Sequence, residues 1–148
     1  MNSRERQLDV LMQLAERNAT ERLVALQEAQ ASLQRQRHDR ALLVDAQTRH
    51  GDNLDAQLAN GIGAGALRTI SQSARTIGTG VEQIDVRIEG ALRVVEERQQ
   101  AWEAAQRKCD ALAKFTSRRA TAKRRRAARD VVRRADEVAT LRSGQGSR

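Results

Sequence analysis

The sequence predicts an all-α protein folded as a long antiparallel two-helix coiled-coil hairpin. Its 148 residues contain no proline and are rich in Ala, Leu, Glu, Gln and Arg, which is the composition of long helices. Apolar residues recur every three, four or seven positions along two long stretches. Between these stretches, residues 60–80 hold five of the nine glycines, so the chain is expected to reverse direction there.

The first arm of the hairpin is predicted over residues 4–59. The side chains at its seam are spaced as in a coiled coil, and they are Leu8, Leu11, Ala15, Ala19, Leu26 and Leu33. Further along, Arg40 and Gln47 occupy seam positions until Leu54 restores an apolar residue. Polar residues in a seam lower stability, and they often fix the register of the helices or leave a face free for a partner.

The tip is predicted over residues 60–80, the second arm over residues 81–141 and a frayed tail over residues 142–148, so that residues 1–148 form one domain. The apolar stripe of the second arm is Val81, Ile84, Ile88, Leu92, Val95, Trp102, Cys109, Leu112 and Phe115. A turn near Ala64 predicts that facing residues have numbers summing to about 128. This register places Leu26 opposite Trp102, Leu8 opposite Ala120, Leu43 opposite Asp85 and His50 opposite Gly78.

Positive charge is concentrated toward the end of the second arm. Residues 111–148 carry 12 basic and 3 acidic residues, whereas the preceding 110 residues carry 15 basic and 16 acidic ones. The basic run, as we call it below, consists of Arg118, Arg119, Lys123, Arg124, Arg125, Arg126, Arg129, Arg133 and Arg134. An acidic protein surface is the favoured partner of the basic run, and a merely solvated helix without a partner is the next interpretation. Contact with nucleic acid or acidic lipid comes last, because no aromatic residues interleave for base stacking.

No catalytic, cofactor or metal site is predicted. The run GIGAGA matches neither glycine-rich nucleotide motif, and no apolar strand precedes it. His38 and His50 have no further ligands at metal-binding spacing, and Cys109 lies on the seam, where packing is its expected role. One cysteine, no signal peptide and no apolar run of bilayer length together predict a soluble cytosolic protein.

Over nearly its whole length the chain resembles the FliJ family of flagellar type III export proteins. The opening VLMQLAER resembles the leucine-rich start of the family, and DNLDAQLANGI resembles its approach to the tip. Gln72, Val95 and Trp102 also fall at positions expected of the family. The tip and the spacing of the tryptophan carry more of this resemblance than the heptads, which unrelated coiled coils share.

The resemblance implies a non-enzymatic stalk that is cytoplasmic and peripherally associated with the export apparatus of the inner membrane. The open end of such a stalk enters the pore of a hexameric export ATPase, and the basic run would make this contact. Its flank near the tip contacts the cytoplasmic domain of the membrane export gate, and the stalk also binds export chaperones. The gate-contacting stripe of the family transfers to Leu43, Ala46, His50, Ser73, Ile77, Gly80 and Ile84, called the gate patch below.

Two other functions fit the same pattern. A stalk of the related virulence injectisome would have the same architecture. A basic coiled coil that binds nucleic acid would share the charged second arm, although a nucleic-acid partner is not the favoured one. A salt-dependent DNA shift assay, set against a pulldown with a hexameric ATPase, separates nucleic-acid binding from the two stalk functions.

Overall fold

Residues 2–146 are described by a computed structural model, and they form two long α-helices. Helix α1 spans Ser3–Asn60 and helix α2 spans Ala64–Gln145, with residues 61–63 between them. No strand occurs in this part of the chain. The predicted all-α helical hairpin is therefore confirmed.

The chain divides into two compact units. Unit 1 consists of residues 1–19 and 105–148, and unit 2 consists of residues 20–104. In unit 1, Glu5 contacts Lys123. In unit 2, Arg40 contacts Asp85 and His50 contacts Ile70. Each unit therefore pairs a segment of α1 with an antiparallel segment of α2.

The start of α1 is fixed by a capping box. The side-chain Oδ1 of Asn2 accepts a hydrogen bond from the Glu5 backbone N–H at 2.9 Å, and Glu5 Oε2 accepts one from the Asn2 backbone N–H at 3.2 Å. These two bonds satisfy donors that the first turn of a helix leaves without partners. The beginning of α1 is thus set by local chemistry.

The turn between the helices uses its glycines in different ways. Gly61 has a φ of +81°, in the left-handed region, and its N–H donates to the Leu58 carbonyl at 3.3 Å, which closes the end of α1. Gly63 provides the carbonyl that accepts the first hydrogen bond of α2, from the N–H of Leu67 at 3.0 Å. Gly65 already lies within α2. Only the first of the three alternating glycines needs a conformation that other residues rarely adopt.

The seams of the two units are built from different side chains. Unit 2 buries Leu26, Leu33 and Ile84. In unit 1 the buried cluster consists of Ala19, Ala105 and Cys109, with Ala15 packed against it. The side chain of Cys109 is a free thiol that packs in the seam, as its position in the stripe predicts.

The predicted seam contains three apolar residues that the structure places outside it, and its polar position Gln47 is exposed as well. Leu11, Leu92 and Phe115 are all exposed. On α1 the seam of unit 1 passes through Leu8, Met12 and Ala15, at alternating spacings of four and three, and these side chains are at least half-buried. Leu11 lies one position before Met12 and is therefore rotated away from the seam.

The predicted register holds at Leu8 and Ala120 in unit 1 and fails near the turn in unit 2. Leu8 and Ala120 line the same cleft in unit 1. In unit 2, however, Leu43 lies against Gly80 rather than Asp85, and His50 contacts Ile70 rather than Gly78. Because the chain reverses before Ala64, residues of α1 near the turn face positions closer to the start of α2 than predicted.

The predicted boundaries of the tip and the tail are not marked by breaks in the helix. From Ala64 onward the predicted tip is part of α2, which continues without interruption into the second arm. The predicted tail is helical through Gln145. Its last two residues, 147–148, lie outside the described residues.

Candidate functional site

The basic run lies on α2 in unit 1, and each of its side chains is exposed. Exposure is continuous here, since every described residue from 113 to 146 is exposed. Guanidinium groups present several N–H donors in a planar fork that matches carboxylates. This part of α2 is therefore chemically suited to a surface rich in Asp and Glu.

Part of the charge in the basic run is balanced inside unit 1. Lys123 donates to Glu5 Oε1 at 3.1 Å, and this contact, together with the capping bond from Asn2, holds the pKa of Glu5 below its ordinary value. Arg133 lies 3.7 Å from Asp130 and 3.9 Å from Glu137 on the same helix. Such exposed pairs stabilise a helix only weakly, so they leave these cations accessible to a partner.

The basic run extends over more than one face of α2. Arg119, Lys123 and Arg126 line a cleft against the start of α1, together with Asn2 and Leu8. Another shallow cleft is formed by α2 alone, and its basic lining residues are Arg118, Arg125, Arg126 and Arg129. An acidic partner could therefore approach this part of α2 from more than one side.

The gate patch lies in unit 2, and the structure brings some of its members into contact. The two terminal carbons of Leu43 lie 3.7 and 3.9 Å from the point where a Cβ on Gly80 would stand. Ala46 and His50 follow Leu43 along α1 at about one turn each, and both are half-buried. His50 Nε2 lies 2.9 Å from the carbonyl oxygen of Ile70, to which a protonated ring nitrogen donates.

The remaining members of the gate patch differ in how accessible they are. Ser73 follows Ile70 by one turn and is exposed, whereas Ile77 is half-buried. Ile84 is buried in the seam of unit 2 and offers little surface to a partner. The accessible part of the patch is therefore Ser73, with the half-buried side chains around it.

The polar seam position predicted at Arg40 has a partner that the sequence did not reveal. Arg40 Nε lies 2.5 Å from an Asp85 oxygen across the two helices of unit 2, and this contact raises the pKa of the guanidinium above its ordinary value. The adjacent seam position, Gln36, has a buried side-chain oxygen without a hydrogen-bond partner. The sequence feature that could have indicated this pair was an acidic residue, Asp85, directly after the seam residue Ile84.

Three comparisons bear on the identity of the chain. The family model described as the flagellar FliJ protein matches residues 4–148. The chain belongs to the FliJ family. Neither the comparison with curated proteins nor that with solved structures gave a match.

Membership in the FliJ family confirms the resemblance and makes this a protein of flagellar export. Among the described residues, no helix has an apolar stretch long enough to cross a membrane. The same residues contain no group of three His, Cys, Asp or Glu side chains that could hold a metal ion.

Proposed function

We propose that this FliJ-family protein is a non-enzymatic stalk of the flagellar export apparatus, working in the cytoplasm at the inner membrane. Unit 1 inserts its basic part of α2 into the pore of the hexameric export ATPase. Unit 2 contacts the cytoplasmic domain of the export gate, and the stalk also binds export chaperones. The observation that carries the proposal is the exposed basic run, on a chain that matches the FliJ family over residues 4–148.

The physical basis of ring binding is charge complementarity around a helix. From residue 113 onward, every described residue of α2 is exposed, so a surrounding surface can reach the sides of α2 that the start of α1 does not cover. Exposed ion pairs each contribute only about 0.2–1 kcal/mol and weaken as salt is added. Binding of this kind needs several cations acting together, which the basic run supplies.

The ring contact is tested by charge reversal. We expect Arg125→Glu, Arg126→Glu and Arg129→Glu, introduced one after another, to weaken binding to the purified ATPase ring in steps and to reduce any stimulation of ATP hydrolysis. The matched control reverses three exposed arginines of unit 2, Arg87, Arg93 and Arg98, which changes the net charge equally.

Three results would contradict this part of the proposal. One is an equal loss of binding in the control, since the effect would then depend on net charge alone. Another is normal ring stimulation by the triple variant combined with loss of DNA binding in a shift assay. That outcome would assign the basic run to nucleic acid. The third is unchanged binding of the triple variant at every salt concentration.

The gate contact is tested at Ser73, the exposed member of the gate patch. Ser73→Arg is expected to place a long charged side chain on the contact surface without disturbing the seam, so gate binding falls while helicity is unchanged. Thr79→Arg is the control, because Thr79 is also exposed on α2 in unit 2. Equal gate binding by wild type and Ser73→Arg, measured by calorimetry with the purified gate domain, would remove this contact from the proposal.

A further inference from the structure

Unit 1 displays three large apolar side chains that its own seam does not use. Leu11 is 52% exposed, Leu14 is 56% exposed and Phe115 is 50% exposed. The buried cluster of the seam consists of small residues, Ala19, Ala105 and Cys109, with Ala15 packed against it. Leaving large apolar side chains in water while alanines are buried is unfavourable unless something covers them.

Helical spacing and the pairing of unit 1 place these three side chains together. Leu8 on α1 and Arg119 on α2 line the same cleft. Leu11 lies one turn after Leu8, and Phe115 lies one turn before Arg119. Because the two segments are antiparallel, both steps move in the same direction along unit 1. Leu14 lies one further turn along α1, so the three form one surface, which we call the Leu-Phe surface.

The surroundings of Leu11 and Phe115 in the Leu-Phe surface carry charge of one sign, whereas Leu14 has Arg17 and Glu21 among its helical neighbours. On a helix, the neighbours of a residue lie three, four or seven positions away. For Leu11 and Phe115 these neighbours include four basic residues and no acidic residue. The basic neighbours are all exposed, and they are Arg4, Lys108, Arg118 and Arg119.

We propose that the Leu-Phe surface docks an amphipathic α-helix of a partner protein whose apolar face is flanked by Asp and Glu. Apolar side chains repeated at one-turn intervals on neighbouring helices fit the apolar face of a third helix. The basic rim attracts carboxylates on either side of that face and repels a second copy of the same surface. The gate patch takes no part in this site, and only Arg118 and Arg119 are shared with the proposed ring contact.

The probe for this proposal is a fluorescent synthetic helix of about three heptads, with Leu at its two core positions and Glu at the flanking positions. The flanking Glu residues also keep the peptide from pairing with itself. We expect saturable binding to the full-length protein by fluorescence anisotropy, weakened by added salt. A peptide with Lys in place of each Glu is expected not to bind.

Variants of the protein locate the binding surface. Leu14→Gln and Phe115→Gln are each expected to weaken binding of the Glu peptide by about tenfold or more, since anchor side chains dominate such contacts. Lys108→Gln tests the rim without touching the basic run, and a smaller loss is expected. Val132→Gln is the matched control, because Val132 is 60% exposed on α2 of the same unit but lies outside the surface.

Each other result overturns the proposal. Equal binding of the Lys peptide would show that charge does not select the partner, and no binding of the Glu peptide would show that no such site exists. Loss of helicity in Leu14→Gln or Phe115→Gln would assign these side chains to stability. Self-association of the wild type that Phe115→Gln abolishes, seen by sedimentation, would make a second copy the occupant. No measurement here uses the ATPase or the gate, so the stalk function is tested separately.

Discussion

The two units pair the same helices with side chains of different size. Unit 2 buries Leu26, Leu33 and Ile84, which are 4%, 6% and 7% exposed, whereas the buried cluster of unit 1 contains only alanines and Cys109. A buried leucine removes far more apolar surface from water than a buried alanine. The stabilisation gained from burial is therefore concentrated in unit 2. Unit 1 keeps Leu11, Leu14, Phe115 and its cations on the surface, where partners can reach them.

The contrast is tested most strongly by truncating one leucine in each unit. Leu33→Ala is expected to lower the free energy of unfolding by about 2–4 kcal/mol, because it removes buried atoms and leaves a cavity. Leu14→Ala is expected to change it by less than about 0.5 kcal/mol, since that side chain is exposed. Urea unfolding followed by circular dichroism measures both, with Leu42→Ala as an exposed control in unit 2. Equal effects of Leu33→Ala and Leu14→Ala would show that unit 1 contributes as much as unit 2.

The next effect in size is expected at the turn of unit 2. Gly61→Ala should lower the free energy of unfolding by about 1–2 kcal/mol, because alanine is strained at positive φ. A Cβ at Gly61 would meet no atom within 4 Å, so the loss would come from the backbone alone. Gly65→Ala, in the first turn of α2, is the control and should raise stability by up to about 1 kcal/mol. If Gly61→Ala and Gly65→Ala change the free energy of unfolding in the same direction, the positive φ of Gly61 is not the cause of the effect.

A smaller effect is expected from the ion pair in the seam of unit 2. A double-mutant cycle with Arg40→Met and Asp85→Asn should give a small stabilising coupling energy. The side chains are 43% and 47% exposed, so solvent screening keeps this value low. The pair Arg49 and Asp45, one turn apart on α1, is the reference and should couple more weakly. A coupling no larger than in the reference pair would mean that Arg40 does not favour this register.

The smallest expected effect concerns Glu5 in unit 1. Its pKa is lowered mainly by the hydrogen bond from Lys123, so the folded state favours the ionised carboxylate. This contribution to stability is present above the ordinary pKa of 4.5 and is lost as the pH falls through the lower folded value. Lys123→Gln should move the pKa of Glu5 back toward its ordinary value in an NMR titration. An unmoved pKa would assign the shift to the capping bond from Asn2.

The sequence predicted the helices well because their signals are local. The absence of proline, the helix-forming composition and a glycine at the end of α1 each act within a few residues. In the structure α1 ends at Asn60, and Gly61 directly after it has a positive φ. The seam was predicted less well, because a helical stripe has no sharp edge in the sequence. Leu11 and Phe115 belong to the apolar pattern, yet both are exposed. Neighbouring positions that point more directly at the other helix form the seam instead.

The candidate site depends on register, which periodicity alone does not determine. Heptads repeat along both arms, so the location of the turn decides which residues face each other, and a small error there misplaced the partners of Leu43 and His50. The basic run could be identified because it is defined by composition. The pairing of Arg40 with Asp85 could not be identified, because it needs the correct register and a choice among several acidic residues of the second arm.

The capping box of α1 has a consequence for the motions of unit 1. The Glu5 carboxylate receives both the Asn2 backbone N–H and the Lys123 ammonium, one on each oxygen. Unwinding the first turn of α1 would therefore also displace the carboxylate that Lys123 contacts on α2. Amide protons in that turn should exchange with solvent through one local opening, and Lys123→Gln should accelerate their exchange although Lys123 lies on the other helix.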